Sequence, residues 1–487
     1  MRVNRRDFIR RSLAAALGGA SLTSAFGNLS AIAAAATSGK RYVFGDYKAL
    51  VCLFLYGGND SFNTLVPFDA TNYTRYRQSR NGLVADGGLA LGQAAIQAQS
   101  LTALAASGGL PGGLPSDGGS YGLHPSLAPL RGLFNSGKMA VVANVGTLLY
   151  PITQTQYQNG TVTTPPQLFS HDDQTTYWQT SRPDDANANG WGGRMADLLY
   201  SANTGLLPMS ISLSGDNRFQ RGAVINQYAM SPGGVDKMSY LGDGPESWIQ
   251  GNNPTGKTAY EALIAQGAQA HVLERAFANS AGSAIDNYEI LGGALEASPP
   301  LATAFPDTDL GNQLKMVARL IKIRAALGMS RQVFFVSAGA YDTHGNQIAD
   351  HAYNLTELAD AAKAFYDATV ELGLANNVTT FTASDFGRSL AVNGDGTDHG
   401  WGGHHFVIGG AVRGQRFYGT MPSLAQNTNA NPHANPDDTG YGQIIPTTAV
   451  DQYAATLASW LGVDAGGIAD IFPALGRFAA PNLRFLG

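Results

Sequence analysis

Apolar runs of strand length recur along the chain, at residues 49–56, 139–145, 209–213, 333–336, 378–382 and 406–408. Runs without polar interruption are expected of strands buried on both faces. Segments with helical spacing lie between them. A helix is expected to open at Leu123-His124-Pro125-Ser126, with Leu127, Leu130 and Leu133 on one face. Trp191-Gly192-Gly193-Arg194 opens another. Leu310, Leu314, Val317 and Ile321 form the apolar face of a helix capped by Asp309. A long helical pattern follows Asn346, and a last helix is expected over 447–461. Helices crossing between strands imply a mostly parallel sheet, and therefore an α/β fold.

The polar stretches that end these runs carry the candidate chemistry. Residues 333–336 break into Tyr341-Asp342-Thr343-His344-Gly345-Asn346, and 378–382 into Ser384-Asp385-Phe386-Gly387-Arg388-Ser389. A short polar loop then leads through Asp398-His399-Gly400-Trp401-Gly402-Gly403-His404-His405 into the sixth run. Ligands collect at the carboxyl ends of strands in open sheets of this kind. Asp342 and His344 are two residues apart, so in extended chain their side chains point the same way and can reach one metal. Asp385 can add a carboxylate, and His399, His404 or His405 can close the set. His404 and His405 are adjacent and face opposite ways, so at most one of them joins. Mixed His and carboxylate ligands suit Zn, Mn or Fe better than Ca.

Three further positions are ambiguous from the residues alone. The first run ends in Gly57-Gly58-Asn59-Asp60, where the glycines permit a sharp turn and leave Asn59 and Asp60 at a strand tip. Asp60 is either a metal ligand or a turn cap. Arg388 either clamps an anionic substrate in bidentate fashion or pairs with Asp385. Ser170, in Leu168-Phe169-Ser170-His171-Asp172, either shows its hydroxyl to a ligand near a helix start or simply caps that helix.

Composition narrows the function classes. Of 487 residues, 44% are hydrophobic and 14% charged, which implies a large core under a surface of uncharged polar groups. Removing the five Arg and one Asp of residues 1–33 from the 31 basic and 36 acidic residues leaves 26 against 35. That acidic balance gives no electrostatic basis for nucleic-acid binding. Cys52 stands alone in an apolar run, so it is expected as a buried hydrophobe, with no disulfide framework and no Cys-based zinc site. Asn4-Arg5-Arg6-Asp7-Phe8-Ile9, followed by a Leu/Ala/Gly-rich stretch, is expected to be a twin-arginine export signal over residues 1–36. Ala31-Ile32-Ala33 offers a cleavage site, and the polar and Gly residues before it dilute any membrane span.

Residues 47–487 are expected to form a single domain, with a surface excursion at 81–120 and an irregular, cap-like insertion at about 215–307. Gly251-Asn252-Asn253-Pro254-Thr255-Gly256-Lys257-Thr258 fits the phosphate-loop pattern, but no buried strand precedes it, so the match is read as coincidence. Asp385-Phe386-Gly387 matches the kinase metal-binding triplet without a kinase catalytic loop or glycine-rich loop.

Several motifs together resemble the exported "domain of unknown function 1501" family. They are the paired arginines, Gly57-Gly58-Asn59-Asp60, Leu123-His124-Pro125, Ser170-His171, Tyr341-Asp342-Thr343-His344, Ser384-Asp385-Phe386-Gly387-Arg388 and Asp398-His399-Gly400. The resemblance implies an alkaline-phosphatase-like three-layer sandwich, related to sulfatases, with helices on both faces of the sheet. It implies a periplasmic or extracellular hydrolase of phosphate or sulfate esters, acting on small-molecule or polymer-borne substrates with a divalent metal, Zn or Mn. By position Ser170 resembles the nucleophile and Asp342, His344, Asp385 and His399 the metal ligands. His404 and Asp60 are further candidate ligands, His171 and Asn59 candidate substrate contacts, and Arg388 a catalytic clamp. The chain departs from the pattern twice. Tyr56-Gly57 stands where relatives of that superfamily end the first strand in a metal-binding Asp, and Asp385-Phe386 stands where they carry Asp-His. Without a C-x-P-x-R sequence, a formylglycine sulfatase is excluded. The alternative reading is a catalytically inactive binding or assembly protein at the cell surface.

Overall fold

The computed structural model describes residues 42–235 and 272–487, apart from 108, 110, 206, 226 and 429, together with 262. The expected export signal, its expected cleavage site and the phosphate-loop match lie outside the described residues, as does much of the expected insertion. In chain order the strands are β1 (Lys48–Leu55), β2 (Leu65–Pro67), β3 (Tyr121–Leu123), β4 (Met139–Gly146), β5 (Ser210–Ser212), β6 (Tyr228–Ala229) and β7 (Arg331–Ala338). They continue as β8 (Val378–Ser384), β9 (Arg388–Asn393), β10 (Gly396–His399), β11 (Gly403–Gly409), β12 (Phe417–Tyr418) and β13 (Thr448–Ala449).

Nine of these form one sheet in the order β12-β4-β11-β8-β1-β7-β5-β6, with β13 also beside β4. β11 runs antiparallel to both its neighbours, and the other pairings in the sheet are parallel. The apolar runs place the sheet between two helical layers. Ala49, Val51, Leu53 and Leu55 of β1 pack on one side, with the helices Ala128–Asn135, Asp309–Lys322 and Gln347–Glu371. Leu50, Cys52 and Phe54 pack on the other, with Trp191–Leu199, Val450–Leu461 and Ala465–Ile471. Alternate residues of an extended strand face opposite ways, so a run that is apolar throughout is satisfied only with both faces covered. Fully burying a side chain such as Phe54 contributes roughly 1.5–3 kcal/mol relative to leaving it exposed.

Local capping shifts several expected boundaries. Thr308, not Asp309, is the N-cap, because its backbone is extended and its hydroxyl accepts from the Gly311 N–H. Asp309 falls in the first helical turn, where its charge favours the helix dipole. The helix expected over 447–461 begins at Val450, since Thr448 and Ala449 pair with β4 as β13, and a further helix, Ala465–Ile471, follows it. Leu123 ends β3, which pairs with β2, and the helix beyond it starts at Ala128 after a short 3-10 turn. Residues 81–120 hold a 3-10 turn and the short helix Gln93–Gln97 before joining that strand pair. In the span expected as an insertion, the described residues form β6 at the sheet edge and the helix Val272–Ala297. Among the described residues no helix is long and apolar enough to cross a membrane.

Candidate metal centre

β1, β7 and β8 end level with one another, because Leu55 pairs with both Ala338 and Ser384. Their carboxyl ends therefore deliver three loops to one rim. Gly57 has φ +112°, and a Cβ there would overlap the backbone nitrogen of Asp342. The absence of a side chain at Gly57 lets the Asp342 loop close against the end of β1. Ala340 (φ +67°) and Asn346 (φ +49°) bracket this loop in left-handed conformations that non-glycine residues seldom adopt.

His171 and His399 reach the same rim from elsewhere in the chain. His171 is the first residue of the helix His171–Thr180 and follows a loop in which Gln167 and Phe169 also have left-handed φ values. His399 ends β10, which forms a hairpin with β9 and sets His399 opposite Arg388. The Phe169 carbonyl accepts from His399 Nδ1 at 2.7 Å, tying the two approaches together.

One ligand atom from each of His171, Asp342 and His399 lies within 4.8 Å of the others. The Nε2 atoms of His171 and His399 are 3.1 Å apart. His171 Nε2 lies 3.4 Å from Asp342 Oδ2, and His399 Nε2 3.3 Å from Asp342 Oδ1. His344 joins on the outer side, its Nε2 3.0 Å from Asp342 Oδ1 and 2.9 Å from His399 Nε2. Bonds near 2.0–2.2 Å to a tetrahedral cation separate ligand atoms by about 3.3–3.6 Å, close to these spacings.

The hydrogen bonds behind the rings fix which nitrogen is free. Asp385 Oδ2 accepts from His171 Nδ1 at 2.6 Å and from the Gly57 N–H at 3.1 Å. With both Nδ1 protons donated outward, the Nε2 lone pairs of His171 and His399 face each other. That arrangement repels unless a proton or a cation lies between them, and metal-bound histidines are backed by carboxylates and carbonyls in the same way. A donor set of imidazole nitrogens and a carboxylate oxygen is one that can hold a divalent cation.

Charge and packing shape the surroundings. Burial pushes the Asp342 carboxyl up, but the Arg388 guanidinium, His344 and His171 outweigh it and hold the group below the usual carboxylate range. The Asp385 hydrogen bond raises His171 above an ordinary imidazole, whereas burial lowers His399. The Phe386 ring packs 4.8 Å from both His171 and His399 and closes one side of the cluster. Asp342 and His344, each with 43% of its side chain exposed, open the other side to solvent.

Not every candidate residue joins. Arg388 is fully buried, and its guanidinium donates to Asp342 Oδ1, the Gly57 carbonyl, the Thr397 carbonyl and Thr397 Oγ1. The expected clamp on a substrate anion, and the expected pairing with Asp385, give way to this pairing with Asp342. Asp60 is also fully buried, and its carboxylate accepts from Arg80, Gln347 and the Phe62 and Asn63 N–H groups. Those four donors place it away from the cluster, capping the turn Ser61–Thr64. His404 accepts from the Asn144 N–H and packs edge-on to Phe62, while His405 packs on Trp178 and Tyr453 across the sheet, so neither ring joins the cluster. Asn59 accepts from His351 Nε2 inside the protein. Ser170 is the N-cap residue but makes no cap bond; its hydroxyl donates to Asp173 Oδ2 at 2.7 Å.

Sequence reasoning assigned His171 to substrate contact and Asp385 to the metal. The structure puts the His171 ring in the cluster and Asp385 behind it. In place of the expected polar loop, the β9–β10 hairpin positions His399; its two-residue turn is Gly394-Asp395, between the paired Asn393 and Gly396, and such a Gly-Asp pair is itself a tight-hairpin signal. No local signal marks the Phe169 carbonyl.

Fold and cluster together define an α/β protein with a His–carboxylate centre at the carboxyl rim of a mostly parallel sheet. The family model described as "Protein of unknown function (DUF1501)" matches residues 47–439, and the chain belongs to that family. Comparison with curated proteins finds no match. Among solved structures the chain is similar to the lipoteichoic acid synthase LtaP from Listeria monocytogenes, at 8% identity and a TM-score of 0.32, covering 90% of this chain and 79% of that one. It is also similar to Ps i-CgsB in complex with k-i-k-neocarrahexaose, at 9% identity and a TM-score of 0.30, covering 90% and 77%. Likenesses of that strength carry no argument about substrate or mechanism.

Proposed function

We propose that the chain is an exported, metal-dependent hydrolase of phosphate or sulfate esters. The observation that carries this reading is the convergence of His171, Asp342 and His399, with His344 beside them, each inner imidazole backed through Nδ1. These residues would hold a divalent cation, Zn or Mn, which when bound supplies Lewis acidity towards an ester oxygen.

The remaining work falls to the chain. Ser170 lies between Phe169, whose carbonyl holds His399, and His171, so the serine is bracketed by two residues of the centre. Its hydroxyl proton already points at Asp173, which leaves the oxygen lone pairs free and a carboxylate in place to accept the proton. Arg388 holds Asp342 in position, and Phe386 excludes water from one side.

Two observations favour the alternative, a cell-surface binding or assembly protein without catalysis. The Arg388 guanidinium is sealed against protein groups, and the buried Phe386 ring offers no donor atom at the chain position where the resemblance implies a histidine. Elemental analysis of chain recovered after export, with aryl phosphate and aryl sulfate ester assays, separates the two. Stoichiometric Zn or Mn with turnover lost in Asp342→Ala supports the hydrolase. Absence of both metal and turnover supports the alternative.

A further inference from the structure

Asp60 and Arg80 are charged, fully buried and remote from the cluster in sequence, 2.6 Å from each other. A buried ion pair adds little net stability, because desolvation offsets most of the attraction. A chain of hydrogen bonds leads from this pair to the centre. Gln347 Nε2 donates to Asp60 Oδ2. Thr397 Oγ1 donates to Gln347 Oε1 at 2.7 Å. Arg388 Nε donates to Thr397 Oγ1 at 3.3 Å, and Arg388 Nη1 donates to Asp342 Oδ1.

The direction of this chain is set at its far end. An ionised carboxylate only accepts, so Asp60 fixes the amide of Gln347 with its NH2 inward. The amide carbonyl then faces Thr397, whose hydroxyl must donate to it. That leaves a hydroxyl lone pair for Arg388 Nε–H. We propose that Asp60 and Arg80 act through Gln347 and Thr397 as a positioning relay that orients Arg388, and through it the Asp342 carboxylate, for cation binding. The relay rests on the metal-centre reading above and deepens it by assigning these residues a role at a distance. It also explains why a polar residue at each step is buried where an apolar one would pack.

Thr397→Val keeps the shape and removes the hydroxyl at the middle of the relay, while Thr397→Ser restores it. Thr382→Val is the control, since that buried hydroxyl also makes two hydrogen bonds, to the Phe406 N–H and His405, outside the relay. Calorimetric titration of metal-free chain with Zn2+ or Mn2+ is the measurement, with thermal melting alongside. Outer-shell partners typically change metal affinity by about 10–100-fold, so Thr397→Val is expected to bind at least about 10-fold more weakly. Thr397→Ser should recover most of that, and Thr382→Val should bind like wild type despite a comparable loss of melting temperature. Equal affinity in Thr397→Val and wild type overturns the relay and leaves the centre standing. An affinity loss in Thr382→Val that matches the loss in Thr397→Val also overturns it. Wild-type chain that binds neither cation overturns the centre itself, and the relay with it.

Discussion

Asp385 can be tested as an orienting group against its sequence-based assignment as a ligand. The perturbation is Asp385→Asn. The native carboxylate has 2% exposure; Oδ2 takes both hydrogen bonds, from His171 and Gly57, and Oδ1 is buried without a partner. An asparagine keeping its carbonyl towards His171 puts its NH2 where no acceptor waits. Turned the other way, it confronts the Gly57 N–H and forces His171 to carry its proton on Nε2, the atom needed at the cluster. The milder outcome exchanges a charge-assisted bond of about 1.5–3 kcal/mol for a neutral one of about 1 kcal/mol. The resulting loss of about 0.5–2 kcal/mol is roughly 2–30-fold in cation affinity. Calorimetric titration of the metal-free variant with Zn2+ is the assay, with near-ultraviolet circular dichroism to confirm the fold. Unchanged affinity refutes the orienting role. Complete loss of binding in a folded variant returns Asp385 to the position of a direct ligand.

Other outcomes are expected from the same geometry. Gly57→Ala places a methyl group against the Asp342 backbone at φ +112°, so it should destabilise the fold by at least about 1–3 kcal/mol and weaken cation binding, measured by urea unfolding and titration; a variant matching wild type in both would show that the loop has room. Ser170→Ala should lower ester turnover more than about 1,000-fold with cation affinity unchanged, and retained turnover would remove Ser170 as nucleophile. Burial lowers His124 and His404 to about 4 and His351 and His405 to about 3. Each titrates near 6.5 when unfolded, so between these limits the unfolded chain binds more protons. Stability should therefore be full above about pH 6.5 and fall as pH drops towards 4, by up to about 1.4 kcal/mol per group for each unit. Urea midpoints that do not decrease between pH 7 and pH 5 would contradict the neutral burial of these rings.

The apolar runs and their polar tips determined a great deal by themselves. Uninterrupted runs such as 49–56 and 333–336 demanded cover on both faces, and the two helical layers supply it. Asp342 and His344 do meet at one rim, but through successive tight turns, in which the Tyr341 and Asp342 carbonyls accept from the Thr343 and His344 N–H groups, rather than through the extended backbone their spacing implied. What only the tertiary structure decided is which donor meets which lone pair. His171 and Asp385 are 214 residues apart and Asp60 and Gln347 are 287 apart. From its residues alone Arg388 is either a substrate clamp or a partner of Asp385; in the fold its guanidinium lies beside Asp342 instead. Burial preference is written residue by residue and survives small shifts in position. A hydrogen bond is lost within about an ångström of displacement, so its partner is fixed only when distant strands and loops have reached their final register.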